Sequence, residues 1–133
     1  MLNHDELAGI CELFGALTRE EMANARSEIA FRQGREPGSD ERVEEAIAEY
    51  SLVEHEELLV TGPTAFPTLP DGAGDLPHIL DVPERELDRE TLGECVIERL
   101  RDEEDSELTR EVSYDVEAWA PVDASAIREQ ERL

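Results

Sequence analysis

Ser39-Asp40-Glu41-Arg42-Val43-Glu44-Glu45-Ala46-Ile47-Ala48-Glu49-Tyr50-Ser51-Leu52-Val53-Glu54-His55-Glu56-Glu57-Leu58-Leu59-Val60 is the stretch on which the fold turns. Its first half places Val43, Ala46, Ile47 and Tyr50 at i, i+3, i+4 and i+7, the spacing of one helix face. Ser39 or Asp40 stands where an N-cap belongs. The second half changes period. Leu52-Val53 and Leu58-Leu59-Val60 flank the polar run Glu54 to Glu57, the pattern of two short strands around a turn. Gly62-Pro63 terminates the pair.

Two further helices precede this stretch. Asn3 and Glu6 have capping-box spacing, and Leu7, Ile10, Cys11 and Phe14 follow on one face up to Gly15. Thr18 and Glu21 form a second box, with Leu17 and Met22 at the staple positions. Met22, Ala25 and Ile29 then share a face, and Gly34 stops the helix. The expected helices are 3–15, 18–33 and 40–50, packed through Leu7, Phe14, Met22, Ile29, Val43, Ile47 and Tyr50. Three short helices followed by a hairpin is the order of a winged helix-turn-helix, an order that other small α+β domains can share.

Downstream the chain changes character. Pro63, Pro67, Pro70, Pro77 and Pro83 with Gly62, Gly72 and Gly74 forbid long regular structure. Phe66, Leu69, Leu76, Ile79, Leu80 and Val82 are too apolar for a free linker, so an ordered segment against the core is expected, extended at Ile79–Val82. Asp88 caps a fourth helix carrying Leu92, Cys95, Val96 and Leu100. Val112, Tyr114, Val116 and Ala118 alternate as in a strand, whereas Leu108, Val112, Val116 and Trp119 fit a helix. The β-branched and aromatic content favours the strand. Asp123 stands where it would cap a short C-terminal helix. The expected fold class is therefore α+β: a winged-helix-like domain with hairpin over 1–61, an ordered Pro/Gly-rich connector over 62–87, and a smaller helix-plus-strand region over 88–133.

Composition bounds the setting. Thirty-five acidic residues face 12 basic ones, a net charge of −23, and every basic residue is Arg. In concentrated salt the Debye length falls to about 3 Å, so repulsion between surface carboxylates is screened while their hydration remains. The expected source is an organism with molar internal salt. The expected location is the cytoplasm, because no apolar run approaches the length of a membrane span and Met1 to Glu6 lacks a signal-type start. Cys11 and Cys95 form neither a disulfide framework nor a zinc motif, and both fall on apolar helical stripes.

The same composition narrows the chemistry. No Gly-x-Ser-x-Gly elbow occurs, and a phosphate loop ending in Lys-Ser/Thr requires a lysine. Carboxylate pairs are so common that none is informative. Asp75, His78 and Asp81 lie close together in the Pro-rich segment and are the candidate metal ligands, against the plainer reading of a loop histidine bonded to backbone. No cofactor is expected. The third helix carries Glu41, Glu44, Glu45 and Glu49 against one Arg42, the wrong sign for phosphate contact. Arg19 and Arg26 share a face in the most basic region, with local ion pairing to glutamate as the plainer reading. Phe31 lies off its helix's apolar stripe, and Phe66 and Leu69 sit between prolines. Arg19, Arg26, Phe31, Phe66 and Leu69 are the candidate partner-binding residues.

The stretch Gly62-Pro63-Thr64-Ala65-Phe66-Pro67-Thr68-Leu69-Pro70, with Asp75-Leu76-Pro77-His78-Ile79-Leu80-Asp81-Val82-Pro83 after it, resembles a family of short acidic haloarchaeal proteins without assigned function. The resemblance covers the middle third, implies a halophilic source and carries over no catalytic residue. The expected function is that of a non-enzymatic regulatory or adaptor protein acting through an unidentified protein partner. The alternatives are a winged helix-turn-helix transcription regulator, with DNA disfavoured by charge, and a small metal-dependent enzyme.

Overall fold

The computed structural model describes residues 2–131, without the side chains of Gln130 and Glu131. The fold is mixed α+β, with seven helices and one three-stranded antiparallel sheet among the described residues. The chain divides into two compact units, Met1–Glu86 and Leu87–Leu133.

In the first unit both capping boxes form. At the start of α1 (His4–Phe14), the Glu6 amide donates to Asn3 Oδ1 at 2.8 Å and the Asn3 amide donates to Glu6 Oε1 at 3.1 Å. Gly15, at φ 89°, ends α1 in a conformation that a side chain would strain. At α2 (Arg19–Arg32), Thr18 and Glu21 exchange the same pair of bonds at 2.8 and 3.1 Å. Gly34 then adopts φ 67° and the Arg35 amide reaches back to the Ala30 carbonyl at 2.8 Å, a Schellman-type stop.

α3 (Glu41–Ala48) starts at Asp40, which makes no side-chain cap bond because Arg26 holds its carboxylate instead. The helix ends in another Schellman-type turn, but with Tyr50 at the left-handed position, φ 64°. The ring is fully buried, and aromatic burial offsets the strain of a non-glycine residue there.

β2 (Leu52–His55) and β3 (Leu58–Thr61) form the expected hairpin, joined by Glu56 and Glu57 at φ 51° and 67°. Left-handed backbone at both positions matches the twist of a two-residue turn. β1 (Leu17–Thr18) pairs with β3 on the other edge, Leu17 opposite Leu59, so the sheet order is β1-β3-β2. This strand was not expected. Two residues carry no periodicity, and Leu17 and Thr18 already read as staple and cap.

The core of the unit gathers Leu7, Ile10 and Cys11 from α1, Met22, Ala25 and Ile29 from α2, Val43 and Ala46 from α3, and Leu17, Leu52 and Leu59 from the strands. Full burial of each large aliphatic contributes about 1.5–3 kcal/mol. Phe14 and Ile47 are only partly buried, at the edge of this cluster. Burial pushes the Cys11 thiol up to about 12, so it stays protonated. Residues 62–86 fold with this unit. Leu76 and Ala73 enter its core, and Leu76–Ile79 is one helical turn, α4, so of the extended piece expected at Ile79–Val82 Ile79 is helical while Leu80 takes up extended backbone. Pro77 sits in the first turn, where its missing amide is no loss.

Arg85 closes the unit by donating to both oxygens of Glu21, at 2.6 and 3.1 Å. The Arg85 guanidinium, with help from the Thr18 amide, holds the Glu21 carboxyl below its ordinary range. A carboxyl depressed on folding stabilises above its unfolded pKa, and the benefit fades as pH falls through the folded value. Glu21→Gln should therefore lower the melting temperature at neutral pH. The gap from wild type should close on acidification below the ordinary glutamate value of about 4.3. An equal gap at both ends of a thermal-melt pH series would contradict this.

The second unit is helical. Asp88 caps α5 (Arg89–Arg101) through the Thr91 amide, and Leu92, Val96 and Leu100 bury one stripe. Cys95 is half-buried on the flank. Gly93 lets the chain approach closely, since a Cβ there would lie 2.7 Å from Ala120 Cβ. Residues 106–119 correct the strand expected over 112–119. They form α6 (Ser106–Trp119), capped by Asp105 through the Glu107 and Leu108 amides. Val112 and Val116 are buried while Tyr114 and Ala118 are exposed. Two positions four apart satisfy an alternating and a helical pattern alike, and packing beside Thr109 and Ser113 selected the helix. α7 (Ser125–Glu131) buries Ile127. Its Arg128 reaches Glu117 and stacks on Tyr114 at 4.2 Å.

Candidate interaction surface

The Pro-rich segment of the first unit is pinned to α1 at three points. The Phe66 amide donates to Asp5 Oδ1 at 3.1 Å, and the Thr68 amide donates to the Asp5 carbonyl at 3.0 Å. Gly9, inside α1, leaves the room for this. A Cβ at Gly9 would lie 2.0 Å from the Thr68 carbonyl oxygen. Asp5 sits in the first turn of α1, where a carboxylate also complements the helix dipole. The backbone of 66–68 is thus fixed while its side chains point away: Phe66 is 80% exposed and Leu69 49%.

The segment is clamped again further along. Arg32 donates to the Gly72 carbonyl at 2.6 Å and to the Asp75 carboxylate, and also reaches Glu28. Phe31, next to Arg32 in α2, is 81% exposed. Phe31, Phe66, Leu69 and Ile79 are exposed large apolar side chains of this unit.

The two other candidates are engaged inside the unit. Arg19 donates to Glu44 and to both oxygens of Glu54, at 2.6 and 2.9 Å, tying the start of α2 to α3 and β2. Arg26 is 7% exposed and bonds the Ser39 carbonyl at 2.8 Å and the Asp40 carboxylate. Both partners lie far along the chain, so local spacing could not reveal them. The structure therefore brings Phe31, Phe66 and Leu69 to the surface and spends much of Arg19 and Arg26 on internal pairing.

Of the candidate metal ligands, Asp75 is bonded to Arg32, whose guanidinium lowers its pKa. His78 and Asp81 are exposed. Among the described residues, no group of three or more His, Cys, Asp or Glu could hold a metal ion.

The face made by α3 and the hairpin is acidic. Glu41, Glu44 and Glu45 are exposed on α3, Glu49 at its C-cap, and Glu56 and Glu57 on the turn. Arg42 faces Glu45 at 3.5 Å, and His4 lies between Glu45 and Glu49 at 3.5 and 2.8 Å. Among the described residues no helix is long and apolar enough to cross a membrane.

A family model described as a family of unknown function, DUF7109, matches residues 5–132. No curated protein and no solved structure gives a significant match.

Proposed function

The chain belongs to the DUF7109 family, and we propose that its first unit is a winged-helix-like module of a non-enzymatic regulatory or adaptor protein, acting through protein contacts in concentrated salt. The element order α1-β1-α2-α3-β2-β3 with sheet order β1-β3-β2 supports the winged-helix reading. In that scaffold α3 would be the helix presented to the major groove and the β2–β3 turn the wing.

The observation that carries the reading is the sign of charge on those two elements. Six exposed glutamates, Glu41, Glu44, Glu45, Glu49, Glu56 and Glu57, occupy the face that would meet phosphates. Affinity for nucleic acid comes largely from neutralising phosphates with Lys and Arg. Arg19 cannot supply this, because Glu44 and Glu54 hold it. Carboxylates on a protein-binding face meet no such penalty, and the pinned Phe66 offers the aromatic anchor that protein interfaces favour.

Affinity capture from native lysate in molar KCl tests this, with circular dichroism to confirm folding. One protein retained stoichiometrically by the wild type should fall more than about tenfold on Phe66→Ala, the scale of an interface anchor. A captured set unchanged by both Phe66→Ala and Phe31→Ala would remove the adaptor reading.

A further inference from the structure

Arg128 shows how this chain seats a guanidinium. It stacks over the Tyr114 ring, 4.2 Å from the centroid, and pairs with the Glu117 carboxylate at 2.9 Å. Arg89 covers the Trp119 ring at 4.4 Å. Both rings belong to the second unit, and both are covered from within the chain.

Phe66 brings the same parts together in the first unit. It lines an open groove of about 470 Å³ together with Asp5, Glu49 and His4, room enough for a long side chain. The walls are fixed by hydrogen bonds. The Phe66 amide donates to Asp5 Oδ1 at 3.1 Å, and the Thr64 hydroxyl donates to the Glu49 carbonyl at 3.0 Å. His4 Nδ1 lies 2.8 Å from the Glu49 carboxylate. That carboxylate and the Phe66 ring are nonetheless open to solvent, with the Glu49 side chain 62% exposed and Phe66 80%. Arg42 also lines the groove, but it faces Glu45 at 3.5 Å, so Asp5, Glu45 and Glu49 outnumber it.

We propose that Phe66, Asp5 and Glu49 form a seat for an arginine side chain of the protein partner. The inference rests on the adaptor reading and adds the partner's chemistry. The guanidinium plane lies on the Phe66 ring and its edge donates to Glu49, as Arg128 does with Tyr114 and Glu117. Asp5 has one oxygen on the Phe66 amide and adds negative potential beside the ring. Lysine fits less well. Its ammonium is a compact, strongly hydrated point charge, and molar K⁺ competes for the same carboxylates. At that salt the Debye length is about 3 Å, so a contact that is partly stacking survives where charge alone does not.

An NMR titration of the ¹⁵N-labelled full chain in molar KCl tests this. The probes are three acetylated, amidated tripeptides with leucine at both ends and arginine, lysine or glutamine between. The arginine peptide should bind most tightly and shift the amides of Asp5, Glu49 and Phe66, with the glutamine peptide about fivefold weaker or worse. Phe66→Leu keeps an apolar side chain and removes the ring. It should weaken the arginine peptide about two- to fivefold, the worth of an exposed cation–π contact, with an unchanged melting temperature. Phe66→Trp should tighten it. The proposal is overturned if the arginine peptide does not bind, if the lysine or glutamine peptide matches it, or if Phe66→Leu changes nothing. In the lysate capture, a partner lost with Phe66→Ala but kept with Phe66→Leu would remove the arginine seat and leave the adaptor reading standing.

Discussion

Gly9→Ala is expected to destabilise this protein, although alanine is the better helix former. Inside a helix the exchange gains about 1 kcal/mol from propensity alone. The new Cβ, however, would lie 2.0 Å from the Thr68 carbonyl oxygen and 2.6 Å from its carbon. Both are backbone atoms, so no side-chain rotation relieves the contact. The segment must leave α1, and the bonds from the Phe66 and Thr68 amides to Asp5 leave with it. Overpacking of this kind costs about 1–3 kcal/mol and occasionally more, enough to outweigh the propensity gain. The melting temperature should fall by several degrees, and capture of a partner through Phe66 should weaken in parallel. A rise in melting temperature would show that the segment does not rest on Gly9.

Removal of salt is expected to have the largest effect of all. Lowering ionic strength from 1 M to 0.01 M lengthens the Debye length from about 3 to about 30 Å, so carboxylates that ignored one another begin to repel across the surface. Thirty-five acids against 12 arginines leave no way to balance that repulsion by pairing. The internal pairs of Arg19, Arg26, Arg32 and Arg85 strengthen in dilute buffer, but they are few against the excess of carboxylates, and the more exposed ones, Arg19–Glu44 and Arg32–Asp75, are each worth about 0–1 kcal/mol. Net repulsion should win, and the midpoint should drop by more than about 10 °C across a dialysis series followed by circular dichroism. A constant midpoint from molar to millimolar KCl would refute the halophilic reading of the charge.

Local rules made much of the first unit legible. Asn3 with Glu6 and Thr18 with Glu21 announced two helix starts, and both boxes form. The change of period at Tyr50–Leu52 announced the hairpin. What stayed hidden depends on distant residues. β1 exists only because Leu59 lies opposite Leu17. α6 is a helix because Val112 and Val116 share a buried face, which an alternating pattern imitates. Asp40 looks like a cap and is the counter-ion of Arg26. The candidate surface divides the same way. Prolines on either side of Phe66 pointed to an extended display, while the pinning by Asp5 and Gly9 needed the fold. Gly9 in mid-helix was the available signal, since a glycine there marks a close approach.

The α3–hairpin face is expected to reject nucleic acid. Genomic footprinting and binding to labelled duplex DNA, both in molar KCl, test it most directly. With Glu41, Glu44, Glu45, Glu49, Glu56 and Glu57 exposed there, the account predicts no discrete footprint and no saturable duplex binding, with Arg42→Ala indistinguishable from wild type. Sharp, sequence-specific footprints that vanish on Arg42→Ala would contradict it and make the protein a transcription regulator.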